Sequence, residues 1–462
     1  MLSRGIFCVL IANIINLGFN LISNFVLPKY LSIETYAYIK TFSLYLTYAG
    51  FFHFGYADGM YLKYGGKDKK AILVKDLDDN LSTMRIFQVF IMLCILLVGI
   101  LMKDKVIILF ACTLLPYNMS WYFRNFYQAI GEFKTYGRML NKISIFLSAL
   151  NMFLVFIVKT ENYLYYLLVY VIVYSSIWII MELQISKILK QKMHFLKFQF
   201  DEFVENIKMG FLLMLGNFSS GLLTSIDRWF VKIWLTSFDF AQYSFAVSME
   251  SILNVAVTPI TVTMYNFFCR KNEINQIHKI KRYVMMLATL LVAVAFGGDW
   301  LIDMWLINYI DSVNVIYFLF GSQIFYIIIK GIYINLYKAQ KRQKEYFIKL
   351  AVVIIVSFFL NIIAFRVINK IEAFAIATLV SAIFWFMLCL ADFPEIRLSI
   401  GEIIYITICT CTFLLLGIRI GSMAGFCMYL ICVLVCNIIF MNEEIKDVIG
   451  FVRNGYRKII IK

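Results

Sequence analysis

Apolar blocks of about 18–25 residues recur from one end of this chain to the other, each long enough to carry a helix across about 30 Å of hydrocarbon. Backbone groups in lipid must bond within their own segment or within a closed barrel. The blocks do not alternate polar with apolar, which selects helices over barrel strands. Of the 462 residues, 62% are hydrophobic and 15% are charged. An ordinary soluble domain carries roughly 25% charged residues, so there is too little charge here to coat soluble domains. The predicted spans are 5–27, 36–57, 86–102, 106–130, 143–159, 163–183, 209–233, 240–267, 283–306, 312–337, 347–367, 371–391, 402–418 and 422–441. This gives an all-α polytopic membrane protein of about fourteen transmembrane helices. The stretch from Ile6 to Leu27 is long enough to span and no small-residue cleavage site follows it, so it reads as the first helix and not as a signal peptide.

The net charge of +15 is not spread evenly. Basic residues cluster from Lys63 to Arg85, Lys187 to Lys208, Arg270 to Arg282, Lys338 to Lys349 and Lys446 to Lys462, in alternate loops. The segment Asp299 to Asp311 between them has no Lys or Arg. By the positive-inside rule the basic loops and both termini are cytoplasmic. The charge is therefore an orientation signal, with contact to anionic membrane lipids secondary and no nucleic-acid partner implied. The ten cysteines are scattered, with no CxxC, so neither a zinc site nor a disulfide framework is expected.

The chain divides into two similar halves. Ser32-Ile33-Glu34 with Tyr38 recurs as Ser237-Phe238-Asp239 with Tyr243, and Asn125, Tyr127, Ala129, Lys134 and Tyr136 recur as Asn335, Tyr337, Ala339, Lys344 and Tyr346. Equal, even helix counts make this a parallel repeat. The expected organisation is an N-lobe at 1–190 (helices 1–6), a cytoplasmic amphipathic linker at 191–208 and a C-lobe at 209–392 (helices 7–12). Helices 13–14 and a basic cytoplasmic tail follow at 393–462.

Polar groups inside hydrocarbon are costly, so they mark candidate sites. Asn13, Asn16, Asn20 and Asn24 share one face of the first helix, and Asn217, Ser220, Thr224 and Asp227 repeat the spacing in the seventh, with Arg228 beside them. These stripes serve either as interhelical hydrogen bonds or as the lining of a wet cavity. Lys40, Arg124, Arg228 and Lys330 lie inside the spans. They either snorkel to the nearest interface or face a cavity and suit a phosphate-bearing substrate. Asp227 is either the ion-pair partner of Arg228 or, with the mid-depth Glu250, a group that couples H⁺ or Na⁺ to transport. Asp58 is expected to stabilise the loop after Gly59. Pro116 and Pro259 are expected to interrupt the fourth and eighth helices. No cofactor, metal site or catalytic constellation is expected.

The segments Leu31-Ser32-Ile33-Glu34 to Tyr38, Phe54-Gly55-Tyr56-Ala57-Asp58-Gly59, Phe126-Tyr127-Gln128-Ala129 with Gly131 and Tyr136, and Ile226-Asp227-Arg228 followed by Asp239 to Tyr243 are short and degenerate. Together, and with the helix count, they resemble the polysaccharide-transporter (Wzx-like oligosaccharide flippase) branch of the multidrug/oligosaccharidyl-lipid/polysaccharide (MOP) exporter superfamily. The resemblance implies a non-enzymatic flippase of the cytoplasmic (inner) membrane. Its cargo would be an undecaprenyl-diphosphate-linked oligosaccharide for O-antigen (lipopolysaccharide), capsule or exopolysaccharide synthesis. A glycan polymerase and a chain-length regulator would be its partners. On that reading Lys40, Arg124, Arg228 and Lys330 hold the diphosphate, and Asn13, Asn16, Asn20, Asn217 and Thr224 contact sugar. Asp227 and Glu250 couple the ion. The rivals are a lipid II flippase, a drug exporter of the same fold and a membrane-embedded glycan polymerase or ligase. An exporter of cations should be acid-rich, and a polymerase needs a sizeable outer loop. This chain has neither feature.

Overall fold

The computed structural model describes residues 15, 18–65, 74–189, 197–254 and 274–447, together with 257, 261, 264, 267 and 268. All regular structure among them is helical. Ten helices are long and apolar enough to cross a membrane, eleven if the broken pair Phe200–Leu223 and Ile226–Trp234 is one span. Of the fourteen expected spans, the first and eighth fall partly outside the described residues, and Pro259 and the start of the basic cluster at Arg270 lie there too. Large apolar side chains face outward, among them Phe90 (61% exposed) and Leu101 (73%), a surface that only lipid can cover. The chain is an all-α polytopic membrane protein.

It packs as two compact units that meet in sequence between Ser225 and Ile226. In the first, α1 (residues 18–30) and α2 (Ile33–Thr47) are followed by α3 (Tyr56–Tyr64), α4 (Val74–Leu101), α5 (Lys105–Ala129), α6 (Phe133–Phe153), α7 (Tyr163–Leu189) and α8 (Phe200–Leu223). The central helix is α5, with 61% of its apolar stretch buried against 22% for α4. It starts at Asp104, whose carboxylate accepts from Val106 N at 2.7 Å and so caps an otherwise unpaired amide. Pro116 does not interrupt it, contrary to expectation: the helix runs unbroken from Lys105 to Ala129. The buried proline forfeits one hydrogen bond, and packing on its neighbours holds the turn.

The second span departs furthest from its expected course. A continuous helix over 36–57 is replaced by α2, a tight turn at Ala49–His53, and α3. Phe54 (φ 49°) and Gly55 (φ 87°) adopt the left-handed conformation between them, which ends the first helix and re-aims the second. The reason lies on α8. A Cβ at Gly59 would lie 1.9 Å from Asn206 O, and one at Gly210 would lie 2.0 Å from Gly55 O. Three glycines thus let α3 and α8 touch backbone to backbone, the small-residue seam of membrane helices.

Hydrogen bonds pin the start of α8 to the same unit. Lys197 N donates to Ser82 Oγ at 2.7 Å and Gln199 N to Thr83 Oγ1 at 3.0 Å. Glu202 accepts from Lys63 at 2.9 Å and from Asn80 at 2.8 Å, and Asn80 in turn accepts from Tyr122 and Tyr56. Residues 209–225 consequently pack within the first unit, beyond the lobe boundary expected at 209. Residues 190–196 of the expected linker lie outside the described residues.

The second unit comprises α9 (Ile226–Trp234), α10 (Ser237–Glu250), α11 (Ile274–Leu291), α12 (Val294–Trp305), α13 (Ser312–Ile328), α14 (Ile334–Ala339), α15 (Gln343–Ile368), α16 (Glu372–Asp392), α17 (Ile400–Arg419) and α18 (Ser422–Phe440). The expected seventh span, 209–233, is broken at Thr224–Ser225, and the ninth, 283–306, begins at Ile274 and turns between Leu291 and Val294. A π turn at Ile329–Tyr333 joins α13 to α14. The stretch Ser312–Ala339 is the core of this unit, with 89% of its apolar window buried.

The second repeat matches at atomic detail. α5 ends at Ala129 and α14 at Ala339, and the next helices begin at Phe133 and Gln343. Glu132 N bonds Tyr127 O at 2.8 Å, and Arg342 N bonds Tyr337 O at 2.8 Å. Gly131 (φ 74°) and Lys341 (φ 58°) hold the same left-handed position. The first repeat is offset by one residue: Ser32 caps α2, whereas Thr236, not Ser237, caps α10.

A buried ion pair ties the last two helices to α11. Lys281 Nζ, 0% exposed, donates to Glu402 Oε2 at 2.9 Å and to the carbonyls of Arg397 (3.0 Å) and Ile396 (3.3 Å). Arg282 reaches Glu444 at 3.0 Å. Lys279 pairs with Asp447 at 2.5 Å and, by that hydrogen bond, holds its carboxyl below the usual range. Substituting Lys281 by Met leaves the buried Glu402 with Arg282 alone, 4.0 Å away, and is expected to cost up to about 3–5 kcal/mol of stability. Removing both charges should cost less, about 1–3 kcal/mol for the stranded carbonyls. Thermal unfolding of the two variants in detergent checks the order.

Candidate functional site

Besides the ion-paired networks described above, each unit holds a further group of polar side chains inside its spans. In the first unit a cavity of about 130 Å³ opens beside the break between α2 and α3. Tyr48, Phe51, Tyr117, Trp121 and Phe218 supply an aromatic wall, and His53, Asp58 and Asn217 supply polar groups. His53 is 2% exposed and Asp58 5%. The Gly55 amide donates to His53 Nδ1 at 3.1 Å, and Nε2 of the same ring faces Asp58 Oδ2 at 3.9 Å. The expectation that Asp58 stabilises the loop after Gly59 is corrected. Its carboxylate lines the cavity, because the break in the span turns α3 so that position 58 faces inward.

Of the residues singled out in the sequence, Asn217 lines this cavity. Arg124 lies one helical turn from it, stacked 4.5 Å over the Trp121 ring, with its Nε buried and unpaired. Lys40 is placed elsewhere, 5.1 Å over the Tyr36 ring and 3.3 Å from Asn24 Oδ1. That bond makes one member of the first helix's amide stripe an interhelical contact. Asn20 is exposed, and the exposed Thr224 bonds only to the carbonyls of Ser220 and Gly221. Asn13 and Asn16 lie outside the described residues.

The second unit brings the rest together. Asp227, 4% exposed, accepts from Tyr243 OH at 2.6 Å, Thr378 Oγ1 at 3.3 Å and the Arg228 amide at 2.8 Å. Its partners are therefore hydroxyls and an amide. The guanidinium next to it makes no ion pair with it among the described residues, and Arg228 Nε is buried and unpaired. Glu250 accepts from Gln323, and the charges acting on it are those of Asp227, Lys330 and Arg228. Lys330 sits 5.8 Å over the Tyr326 ring and donates to Asn254 at 3.4 Å.

Three of the four intramembrane cations thus rest on an aromatic ring three or four positions earlier on the same helix: Tyr36 under Lys40, Trp121 under Arg124 and Tyr326 under Lys330. A ring at that spacing holds the charge by cation–π attraction while leaving its donors to other partners. Lys63, Arg85, Lys197, Lys281, Arg282 and Lys349, in contrast, each meet a carboxylate. Arg124, Arg228 and Lys330 meet none among the described residues, and no cluster of metal-ligand type occurs there either.

Sequence reasoning passed over His53 and the ring partners. The signal for the cavity was the pair Gly55 and Gly59 flanking Asp58 within an apolar run, a small-xxx-small pattern with a carboxylate inside it. Tyr243 as the partner of Asp227 and Gln323 as that of Glu250 left no trace in spacing, since each joins residues from different helices.

Compared with known proteins, no family model and no curated protein matches the chain. Solved structures do match. A lipid II flippase, MurJ, in an inward closed conformation superposes with a TM-score of 0.62 at 14% identity, covering 97% of this chain and 100% of that one. An outward-facing multidrug resistance MATE family transporter of the MOP superfamily gives 0.52 at 10% identity, covering 85% and 96%. The chain therefore has the fold of MOP superfamily transporters over nearly its whole length.

Proposed function

We propose that the chain is a flippase, not an enzyme, that moves an undecaprenyl-diphosphate-linked oligosaccharide from the cytoplasmic to the outer face of the cytoplasmic membrane. The product would serve O-antigen, capsule or exopolysaccharide synthesis, and a glycan polymerase and chain-length regulator would act after it. The carrying observation is that Arg124, Arg228 and Lys330 lie within the apolar stretches with no carboxylate partner among the described residues, while the buried Arg85 and Lys281 are ion-paired. A diphosphate is the kind of ligand that meets such donors. Asn217 beside the aromatic wall of the cavity suits a sugar. Asp227 and Glu250, drawn together in the second unit, are the proposed carriers of the coupling H⁺ or Na⁺. The basic loops orient both termini to the cytoplasm.

A second reading, a lipid II flippase, is favoured by the end-to-end likeness to MurJ. Both readings are tested with purified protein in liposomes carrying a fluorescent undecaprenyl-diphosphate disaccharide or, separately, fluorescent lipid II. Transbilayer movement is scored by the label's accessibility to an impermeant quencher. Movement of the disaccharide lipid above protein-free liposomes is the expected result, and preference for lipid II selects the second reading. Transport of a cationic dye with neither lipid moved would refute both.

A further inference from the structure

The polar pair in the first unit has no place in the binding scheme above. Asp58 is 95% buried, and it lines the cavity without a hydrogen-bond donor among the described residues. Among the described residues its one ion-pairing neighbour is His53, 3.9 Å away. The tautomer of that ring is fixed by the backbone. Nδ1 accepts the Gly55 amide, so the neutral imidazole carries its hydrogen on Nε2 and turns it toward the Asp58 carboxylate. The amide can do this because Phe54 and Gly55 hold positive φ, so the helix break and the pair are one construction.

The elements around the cavity contribute little other charge. From the end of α2 comes Tyr48, whose hydroxyl is engaged with Ser225. From α5 come Tyr117 and, beyond Trp121, Arg124, which acts on Tyr117. From α8 come the neutral Asn217 and apolar groups, and α4 offers the neutral Gln88, bonded to Phe52 O. Thr47, Tyr117 and Asn217 add neutral oxygens to the lining, but the Tyr48 hydroxyl is engaged with Ser225 and Asp58 carries the one carboxylate among the described lining residues, a weak ligand set for a hard metal cation. What such a wall and a bare carboxylate suit is a proton, which needs one oxygen only.

We infer that this cavity is a proton-exchange site, in which Asp58 takes up and releases a proton opposite His53 Nε2 at the break of the second span. The step forms one O–H bond on the carboxylate from a proton delivered through the cavity, and the imidazole stays neutral with its hydrogen on Nε2. Uptake replaces a buried charge by a neutral acid. Asp58 sits between Gly55 and Gly59, so the change falls at the seam where α3 and α8 meet. This is a site separate from Asp227 and Glu250, in the other unit, and it does not depend on what the protein transports.

The test reads the proton itself. Infrared difference spectra of the purified protein in liposomes are taken between about pH 8 and about pH 5, the range a histidine–carboxylate pair can cover. The expected result is a carboxylic-acid carbonyl band, retained in the Asp227→Asn/Glu250→Gln double variant and lost in Asp58→Asn. His53→Gln should keep the band and move its midpoint, because the facing donor has changed. The band should be the same in sodium and in potassium buffer. Absence of the band in the unaltered protein overturns the inference without recourse to any variant. So does its persistence in Asp58→Asn, or its suppression by sodium, which would make the site a metal site. Failure of the lipid transport assay leaves this measurement untouched.

Discussion

Replacing Gly59 by Val should stop the first unit from assembling. A Cβ there would lie 1.9 Å from the Asn206 carbonyl oxygen, and 2.7 Å from its carbon. Backbone atoms cannot rotate away as a side chain would, so α3 and α8 would have to separate by more than 1 Å. The start of α8 resists, because Glu202 is bound to Lys63 and Asn80 and the segment before it to Ser82 and Thr83. Overpacking in a well-packed core costs about 1–3 kcal/mol, and a backbone clash belongs at or above the top of that range. The expected readout is loss of the monodisperse peak in detergent and a lower melting temperature. Gly59→Ala should show the same change at smaller size. Gly216→Ala is the control, since nothing lies within 4 Å of a Cβ there. Equal behaviour of Gly59→Val and Gly216→Ala would mean that the seam does not form.

Alanine at Arg124, Arg228 or Lys330 should lower lipid transport steeply while leaving the protein folded. A hydrogen bond to a charged group contributes about 1.5–3 kcal/mol, roughly 10- to 100-fold in rate if it acts at the limiting step. Removing Arg228 does not strand Asp227, because Tyr243 and Thr378 hold that carboxylate. Loss of transport in Arg228→Ala therefore reports on the cation itself. Arg124→Lys should recover part of the activity, since charge survives while the planar stack on Trp121 does not. A residue that merely anchors the helix at the interface would transport normally once replaced. Normal rates in all three alanine variants, at unchanged protein level, would end the diphosphate reading.

The membrane class was legible because it depends on a summed quantity, apolar length, that single residues barely alter. The fourth span and the eleventh to fourteenth follow from the same run lengths. What the runs could not show was where a span breaks. The turn at Ala49–His53 and the break at Thr224–Ser225 both lie inside apolar stretches, and each is set by contacts made elsewhere in the chain. Gly55 is left-handed because α8 lies against it, and nothing local to positions 36–57 announces α8. Pro116 misled in the opposite direction: a strong local breaker was overridden by burial within the unit's central helix. The site was partly legible for a similar reason. A charge in an apolar run is conspicuous by composition, which is how Arg124, Arg228, Lys330 and Glu250 stood out. Their partners are chosen by packing. Asp227 was visible as a charge next to Arg228, yet its hydroxyl partners come from α10 and α16.

The two turns that follow α5 and α14 carry a different kind of information. They share their hydrogen bonds and their left-handed residue, although one uses glycine and the other lysine at that position. A lysine there is strained by roughly 1–2 kcal/mol relative to the right-handed form, and glycine is not. Left-handed lysine also ends helices at Lys103 and Lys159, so the lysine alone says little; the same backbone bonds over the repeated Asn, Tyr and Ala positions say more. Shared ancestry accounts for the pair more simply: one duplicated segment fixed the shape, and the two descendants have since exchanged side chains within it. At this turn, the backbone shape is common to both units although most of the side chains on it differ.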